Sequence, residues 1–398
     1  MSKSFFVYNF GCRVNMAETL EIRSEMLEAG YEESEDQPDI ILINSCAVTQ
    51  KAEKEVLQFI RSKRKEFPKA KIIVTGCAAV KWEGRKVPIN IEKIGKKKID
   101  SGKNIYEESG RTLIKIQDGC DQFCSYCIVP YLRGKPKSKK IKEIIREIRN
   151  IEVIREIILT AINTDLFGSD NGENLTDLIK KILDETEIER LSFGSINQNS
   201  INDDLVKVFQ SPRIVKYFHI PIQSGSDKIL ELMNRNYKVE EIRGKLEEVK
   251  KLDPLTFIGT DIIVGFPGET EENFQETYKF LEQSSISRFH IFRFSKREGT
   301  LGWNLENKLG AVPESVKKSR SKELEDLGKR KYQIFLEKHI GKTFKALFLV
   351  KKEGKYQEVL LENNVPAWIE TQKDFKGQII EVSIENLRNR RLFGQVPS

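Results

Sequence analysis

The chain has 398 residues, of which 39% are hydrophobic, and a formal net charge of +7 from 67 basic and 60 acidic side chains. This length allows two or three domains with a sizeable core, and no apolar run approaches the ~18 residues that a membrane span needs. The first residues lead into a predicted strand instead of a signal peptide, so we expect a cytoplasmic protein with reduced thiols.

Residues 1–80 alternate short apolar segments with amphipathic ones, which predicts a parallel sheet covered by helices. The predicted strands and helices are Ser4–Phe10, Met16–Ala29, Ile40–Asn44, Lys51–Lys65 and Lys71–Thr75. Cys12, Cys46 and Cys77 each follow a strand within one to three residues. Because the carboxyl ends of parallel strands converge on one crevice, we expect these three thiols to meet. The alternative is three unrelated buried cysteines that act as small hydrophobic residues.

Residues 81–110 are polar, basic and rich in glycine, which predicts a connector or clamp. From residue 112 a strand and helix alternate six times, which predicts a partial (β/α)6 barrel with its active site at the carboxyl ends of the strands. The predicted strands are Thr112–Gln117, Glu156–Thr160, Arg190–Phe193, Tyr217–Ile222, Phe257–Val264 and Ser287–Phe294. The predicted helices are Ser138–Asn150, Leu175–Glu185, Asn202–Gln210, Val239–Leu252 and Thr270–Gln283.

After a charged helix near Pro313–Lys338, short alternating segments predict a β-barrel of about sixty residues. Its predicted strands are Thr343–Val350, Gln357–Glu362, Ala367–Glu370 and Gln378–Ile384. We therefore expect an α/β chain with a parallel-sheet domain at 1–105, a barrel domain at 106–338 and a small β-barrel at 339–398.

Three further cysteines, Cys120, Cys124 and Cys127, form a C-x3-C-x2-C loop. Three thiolates leave one iron of a [4Fe–4S] cluster without a protein ligand, so a substrate can bind there. A zinc site would need a fourth ligand close by, and no histidine lies near the loop in sequence. We expect His219 and His290, which lie within predicted strands, to be hydrogen-bonded core groups instead of ligands.

These features together resemble the methylthiotransferases, a radical S-adenosylmethionine (AdoMet) family, over nearly the whole chain. The motifs that carry the resemblance are Phe10–Asn15, Ile43–Thr49, Thr75–Cys77, Gln117–Gly134, His219–Ser226, Met233–Arg235 and Gly259–Thr270. The resemblance implies an amino-terminal sulfur-cluster domain, a central radical domain and a carboxyl-terminal TRAM barrel. It also implies two [4Fe–4S] clusters, one on each set of three cysteines, and AdoMet bound at the open iron of the second set and cleaved to a 5′-deoxyadenosyl radical.

The resemblance implies insertion of a methylthio group at an unactivated C–H bond, which needs radical chemistry supplied by a cofactor. The opening motif and Phe289–Thr300 resemble most the branch that modifies N6-threonylcarbamoyladenosine at position 37 of tRNA. The alternative branches act on isopentenyladenosine 37 or on an aspartate of a ribosomal protein. Implied partners are tRNA and a low-potential electron donor such as flavodoxin or ferredoxin. A different class of function is a non-catalytic iron–sulfur redox protein, and a further one is an RNA-binding module that has lost activity.

Several residues are candidates for binding AdoMet because they lie at predicted strand ends or in the family's motifs. They are Thr160, Asn163, Ser195, Gln223, Arg235 and Gly265. The Thr160–Asn163 and Ser195–Gln198 segments depart from the usual family pattern, as does Ser138–Lys140, which leaves the substrate branch open.

A basic run directly after the cysteine loop is a candidate phosphate contact. Its leading members are Arg133, Lys135, Lys137, Lys139 and Lys140, and it continues to Arg149. The alternative is a solvated helix face. Phe123, Tyr126 and Tyr131 are possible partners for stacking on a splayed base, although core packing is the expected role for any one of them.

Overall fold

The computed structural model describes residues 3–83, 92–93, 110–151 and 154–397. Most of the predicted connector at 81–110 lies outside the described residues. The predicted fold class is confirmed, because a parallel α/β sheet, a barrel-like α/β core and a closed β-barrel follow one another along the chain.

The amino-terminal part is a parallel sheet with strand order β2-β1-β3-β4-β5. Its elements are β1 (Ser4–Asn9), α1 (Arg13–Glu28), β2 (Glu32–Glu33), β3 (Ile40–Ser45), α2 (Gln50–Glu66), β4 (Lys71–Thr75), α3 (Gly76–Lys81) and β5 (Glu92–Lys93). The Thr49 hydroxyl caps α2 by accepting from the Ala52 amide at 3.1 Å. Val56 and Ile60 on the inner face of α2 are fully buried against Ile41 and Ile43 of β3. This burial holds α2 on the sheet.

The central part carries the predicted strand and helix repeats. Its strands are β6 (Arg111–Asp118), β7 (Lys137–Ser138), β8 (Glu156–Ala161), β9 (Arg190–Phe193), β10 (Tyr217–His219), β11 (Phe257–Val264) and β12 (Arg288–Arg293). Its helices are α4 (Val129–Arg133), α5 (Ile141–Arg149), α6 (Leu175–Glu185), α7 (Asp203–Phe209), α8 (Asp227–Leu232), α9 (Val239–Lys251), α10 (Glu271–Gln283), α11 (Leu301–Leu309) and α12 (Glu314–Glu337).

These strands form two ladders, β7-β6-β8-β9 and β10-β11-β12. The Val215 amide joins the ladders by donating to the Leu191 carbonyl at 2.9 Å. All neighbours are parallel except β7 with β6. Helices cover the outer face, where isoleucines such as Ile144, Ile179 and Ile258 are fully buried. The predicted open barrel is thus present, and its loops at the carboxyl ends of the strands lie on one side.

The carboxyl-terminal part is a closed barrel with strand order β13-β14-β15-β17-β16. Its strands are β13 (Thr343–Glu353), β14 (Tyr356–Leu361), β15 (Pro366–Glu370), β16 (Ile379–Arg388) and β17 (Arg391–Gln395). The sequence interpretation missed β17, which is short and pairs parallel to β15. Without β17 the sheet would not close.

His339 fixes this barrel to the central part. Its buried imidazole lies 3.0 Å from the Phe335 carbonyl and 2.8 Å from the Asn363 side-chain amide. Since a carbonyl accepts, Nδ1 carries the proton and Nε2 accepts from Asn363. Asn363 also donates to the Leu255 carbonyl at 2.8 Å. Burial lowers the pKa of His339 to about 4, so the ring is neutral at physiological pH. Within the described residues, no helix is both long and apolar enough to span a bilayer.

Candidate functional site

The loop that carries Cys120, Cys124 and Cys127 begins where β6 ends. Gly119 has φ +73°, and a Cβ there would lie 2.1 Å from the Lys135 carbonyl oxygen, so only glycine fits this turn. The Cys120 amide then donates to the Gly134 carbonyl at 2.9 Å. This closes the loop back on the end of α4 and fixes the position of the first cysteine.

The remainder of the loop is held by two distant segments. The Ser125 amide donates to the Met233 carbonyl at 2.9 Å, and the Gly302 amide donates to the Ser125 carbonyl at 2.5 Å. The Asn234 side chain donates to the carbonyls of Gln122 and Phe123 at 3.2 Å. Contacts from both sides of the barrel mouth therefore set the loop's shape before any ligand is considered.

Two polar side chains point hydrogen-bond donors at the sulfur atoms. Arg235 places Nη1 3.2 Å from Cys124 Sγ, and Asn163 places Nδ2 3.7 Å from Cys120 Sγ. Arg235 is fixed in turn by donating to the Tyr237 hydroxyl at 2.6 Å. Donors of this kind stabilise thiolates and the sulfur atoms of a cluster.

The loop thiols are half-buried and free of disulfides. Burial raises the pKa of Cys127 to about 12 and also raises the pKa of Cys120, and the neighbouring cysteines add to both shifts. All three thiols belong to one short loop between β6 and α4. Thiols of this kind ionise when they bind a metal, because a coordinated thiol loses its proton. The donor set fits an iron–sulfur cluster.

Four of the six candidate AdoMet-binding residues lie near the loop or at neighbouring strand ends. Asn163 and Arg235 contact the loop sulfurs as described. Thr160 is buried at the end of β8, and Gln223 adopts φ +70°, where it bridges to Ile262 of β11. A left-handed conformation is uncommon for glutamine, and strained positions cluster at functional sites.

Gly265 and Ser195 are placed differently. The Gly265 amide donates to Glu269 Oε2 at 2.7 Å, and a Cβ at this glycine would lie 2.3 Å from the Lys317 side chain. The structure thus gives Gly265 a role in the turn after β11, with its amide already engaged. Ser195 is half-buried in the loop after β9.

The other three cysteines follow β1, β3 and β4, as predicted. Cys46 and Cys77 are buried and Cys12 is exposed. Burial raises the pKa of Cys46, and the neighbouring cysteines raise it further. Because β1, β3 and β4 are adjacent in the sheet, the three cysteines lie at the same edge of it. Gly76 makes room for this arrangement, because its φ is +83° and a Cβ there would lie 2.5 Å from the Ser45 carbonyl oxygen.

Asn15 organises the backbone around these thiols. The Cys12 thiol donates to Asn15 Oδ1 at 3.3 Å. Asn15 Nδ2 donates to Asn44 Oδ1 and to the Ser45 carbonyl, both at 3.1 Å. Asn44 returns a bond to the Asn15 carbonyl at 2.8 Å. One buried amide thus links the loop after β1 to the end of β3, next to Cys46.

Arg133 joins the two cysteine sets. It belongs to α4, directly after the Cys120 loop, but its Nε lies 3.4 Å from Cys77 Sγ. Its Nη1 donates to Glu18 at 2.8 Å and to Asp118 at 3.0 Å, and only 3% of the side chain is exposed. The prediction that Arg133 contacts phosphate is corrected here, because the guanidinium is buried among carboxylates and a thiol.

The remaining members of the basic run divide into two groups. Lys135, Lys137 and Lys140 are exposed beside the loop. Lys139 instead places its ammonium 2.8 Å from Glu147 and 3.8 Å from Glu21. The run is therefore partly an interior ion-pair network and partly a solvent-facing basic edge.

Two of the three loop aromatics are not core residues. Phe123 and Tyr131 are 43% and 51% exposed, and their rings meet edge to face with centroids 5.5 Å apart. Phe123 also has φ +45°, a strained value for this residue. Tyr126 is partly buried and packs against the cluster that contains Phe266 and Phe294, and this environment raises its pKa well above the usual value. Core packing is the wrong expectation for the exposed pair, which presents apolar surface beside the basic edge.

Several site residues were not identified from the sequence alone. Glu18 carries no sequence signal, since it is one of many acidic residues on an amphipathic helix. Arg297 is buried at 3% exposure, pairs with Glu53 at 3.3 Å and donates to the Ala47 carbonyl next to Cys46. Arg297 lies within the Phe289–Thr300 motif, and this position was the sequence feature from which it could have been identified as a site residue.

Comparison with known proteins agrees with this geometry. Residues 114–281 match the radical SAM superfamily, and residues 4–91 match the uncharacterised protein family UPF0004. A solved structure of the radical AdoMet methyltransferase TsrM from Kitasatospora setae superposes with a TM-score of 0.54 at 12% identity, over 77% of this chain and 78% of that one. At that identity the likeness concerns the fold.

The curated relatives are more similar in sequence. The threonylcarbamoyladenosine tRNA methylthiotransferase MtaB of Aquifex aeolicus is 33% identical over 88% of this chain and 96% of its own length. MtaB of Thermotoga maritima is 35% identical over 87% of this chain and 86% of its own. The tRNA-2-methylthio-N6-dimethylallyladenosine synthase of Thermosipho africanus is 32% identical over 98% and 99%. The chain therefore belongs to the radical AdoMet methylthiotransferases, a family of transferase enzymes that work with a [4Fe–4S] cluster and AdoMet.

Proposed function

We propose that this chain inserts a methylthio group at C2 of N6-threonylcarbamoyladenosine 37 in tRNA. The observation that carries the proposal is the pair of cysteine triplets, each gathered at strand ends and joined by Arg133. Cys120, Cys124 and Cys127 would hold the [4Fe–4S] cluster that binds AdoMet. A cluster with an open iron supplies one-electron cleavage of AdoMet to a 5′-deoxyadenosyl radical, using an electron from a low-potential donor such as flavodoxin or ferredoxin.

The chain's own residues position these groups. Arg235 and Asn163 donate to the loop sulfurs, and we assign Thr160, Ser195 and Gln223 to the walls of the AdoMet site. Donors to sulfur favour the more negative state of a cluster and so tune its reduction potential.

Cys12, Cys46 and Cys77 would hold a second [4Fe–4S] cluster, which carries the sulfur to be inserted. With three cysteines for four irons, each cluster would have one iron without a protein ligand, where a non-protein ligand could bind. Anaerobically reconstituted protein should bind about eight iron atoms per chain, since two four-iron clusters are proposed. A Cys12→Ala/Cys46→Ala/Cys77→Ala variant should retain about half of them. Full iron loss or full iron retention in that variant would contradict two independent sites.

The substrate assignment is supported by the activities for which the relatives are named. Two of the three relatives compared are threonylcarbamoyladenosine enzymes. The third acts on dimethylallyladenosine and matches a larger share of this chain, so isopentenyladenosine 37 is the second candidate. A tRNA substrate is consistent with the cytoplasmic location expected from the sequence.

Mass spectrometry of tRNA nucleosides separates these candidates. Cells that lack the gene should lose methylthio-threonylcarbamoyladenosine and keep the methylthio-isopentenyl nucleoside. Re-expression of the wild-type chain should restore the modification, whereas a Cys124→Ala chain should not. Unchanged methylthio-threonylcarbamoyladenosine in the deletion strain would refute the preferred substrate, and loss of the isopentenyl form would establish the second.

We propose that Lys135, Lys137 and Lys140 contact tRNA phosphates and that Phe123 or Tyr131 stacks on an unpaired base. Exposed aromatic rings beside cationic side chains match the way proteins bind single-stranded RNA. Because phosphate contacts release counterions, tRNA affinity should fall steeply as salt rises. Affinity that does not change between low and physiological salt would contradict this contact.

A further inference from the structure

Three potential metal-binding side chains lie on neighbouring parallel strands, away from all six cysteines in sequence. His219 ends β10, Asp261 lies in the middle of β11, and His290 lies in the middle of β12. Asp261 is the register partner of His290, and His219 is the register partner of Gly259, two residues before Asp261. Since alternate residues of a strand share a face, the three side chains leave the same side of the sheet. Ile258 and Ile262, which alternate with Asp261, are packed against the outer helices, so this shared face is the barrel lumen.

The side chains converge on one carboxylate oxygen. His219 Nε2 lies 3.1 Å and His290 Nδ1 lies 3.4 Å from Asp261 Oδ1. The two rings are stacked with centroids 5.2 Å apart and an interplanar angle of 30°. All three candidate ligand atoms lie within 4.8 Å of one another. Ligands of one metal ion at bond lengths of about 2.1 Å are separated by about 3 to 3.5 Å, and both nitrogen–oxygen distances fall in that range.

The site is partly enclosed but open on one side. The side chains of His219, Asp261 and His290 are 11%, 25% and 48% exposed. From the sequence, both histidines were expected to be hydrogen-bonded core groups instead of ligands. His219 lies within hydrogen-bonding distance of Asp261 and is largely enclosed, whereas His290 is half exposed and is not a core residue.

The position of Gly259 also favours close approach. A Cβ at Gly259 would lie 3.2 Å from His219 Nδ1, so the absence of a side chain leaves the imidazole room on the lumen side. All three ligands are borne by strands, and sites on strands hold their geometry better than sites on loops. Two imidazoles and one carboxylate form a set used by zinc sites that keep one coordination position open.

We propose that His219, Asp261 and His290 bind one Zn²⁺ ion in the barrel lumen, with a fourth position open to water or to a substrate oxygen. The site is separate from the cysteines and does not depend on which nucleoside is modified. Zinc suits it because a d¹⁰ ion accepts three protein ligands and a fourth exchangeable one.

The test uses the anaerobic holoenzyme with both clusters present. The protein is incubated with zinc chloride and desalted, and zinc and iron are measured together by inductively coupled plasma mass spectrometry. Wild type should retain one zinc per chain with its iron unchanged. His290→Asn and Asp261→Asn should bind zinc at least about tenfold more weakly, since even changes to groups that support a ligand cost that much. His290 is half exposed, so its replacement leaves the core intact, and retained iron verifies folding.

A matched control and a second measurement keep the result specific. Asp204→Asn removes an exposed carboxylate on α7 and should bind zinc like wild type. X-ray absorption at the zinc edge, which iron does not obscure, should show nitrogen and oxygen ligands with imidazole scattering. Sulfur scattering would place zinc on cysteines and overturn the proposal, as would equal zinc uptake by wild type and both ligand variants, or no uptake by wild type.

Discussion

Replacing Glu21 with glutamine should remove a pH dependence of stability that the structure builds into α1. The Glu21 side chain is 3% exposed, and its Oε2 has no hydrogen-bond partner among the described residues. Burial raises its pKa to about 7 from 4.5, although Lys139 and Lys115 oppose the shift. The carboxyl is protonated in the folded chain at a pH where the unfolded chain has already ionised it.

The sign follows from proton linkage. A folded-state pKa above the unfolded value means that stability is fully present below pH 4.5 and is lost as pH rises toward 7. A shift of about 2.5 units corresponds to a maximum of about 3.4 kcal/mol at 1.36 kcal/mol per unit. Of this, about 2.5 kcal/mol falls between pH 5 and pH 8. Glutamine has the same shape and does not titrate, so the Glu21→Gln variant loses no stability from this position between pH 5 and pH 8.

The assay is thermal unfolding followed by circular dichroism, with wild type and Glu21→Gln compared at each pH. Subtracting the two curves cancels every other titrating group. The melting temperature of wild type should fall by roughly 5 °C relative to the variant between pH 5 and pH 8. Glu28→Gln, an exposed change on the same helix, should follow wild type. A difference between wild type and Glu21→Gln that stays constant with pH would refute the reasoning.

Three further predictions concern the cysteine sites and the RNA surface. Arg133→Met should destabilise the chain by about 1.5–3 kcal/mol, measured by urea unfolding, because Glu18 loses its charged hydrogen bonds to the guanidinium and keeps, among the described residues, only Lys115 at 3.0 Å. Arg133→Lys should lose less, and unchanged stability of Arg133→Met would contradict this pairing. Arg235→Met should make the reduction potential of the Cys120-loop cluster more negative, because a positive charge 3.2 Å from Cys124 Sγ is removed. A spectroelectrochemical titration measures this potential, and an unchanged value would contradict that contact. Lys137→Ala should weaken tRNA binding uniformly across tRNA species and reduce the salt slope by about one, and an unchanged slope would contradict a phosphate contact there.

Local pattern was enough to predict most of the fold. Alternation of apolar segments with amphipathic helices identified the longer strands of the parallel sheet and of the open barrel, because burial of one or two faces produces a periodic apolar pattern. The two-residue strands β2, β5 and β7 were missed, since two residues are too few to show a period. β17 (Arg391–Gln395) escaped because five residues after a turn carry little periodicity. Its place is set by parallel pairing with β15, which is distant in sequence, and by antiparallel pairing with β16.

The site was predictable only where ligands share a recognisable position. Cys12, Cys46 and Cys77 were grouped because each follows a strand, and strand ends of a parallel sheet converge. Arg133 was misassigned because a lysine-rich neighbourhood suggests solvent, and only the packing of α1 against β6 shows that its guanidinium faces Glu18. Such contacts between residues more than 100 positions apart depend on how two domains meet, which no local pattern contains.

The side chain of Arg133 has a consequence for how this enzyme can be rearranged. The residue follows the loop of one cysteine set, yet apart from Asp118 its described partners are a thiol of the other set and two side chains of α1. If the amino-terminal half came from another protein, the groups that face the Arg133 guanidinium would not pair with it, even if all three cysteines of that half were present. The halves are therefore not interchangeable parts: a functional chimera must transfer Cys77, Glu18 and Asn15 together with their arginine.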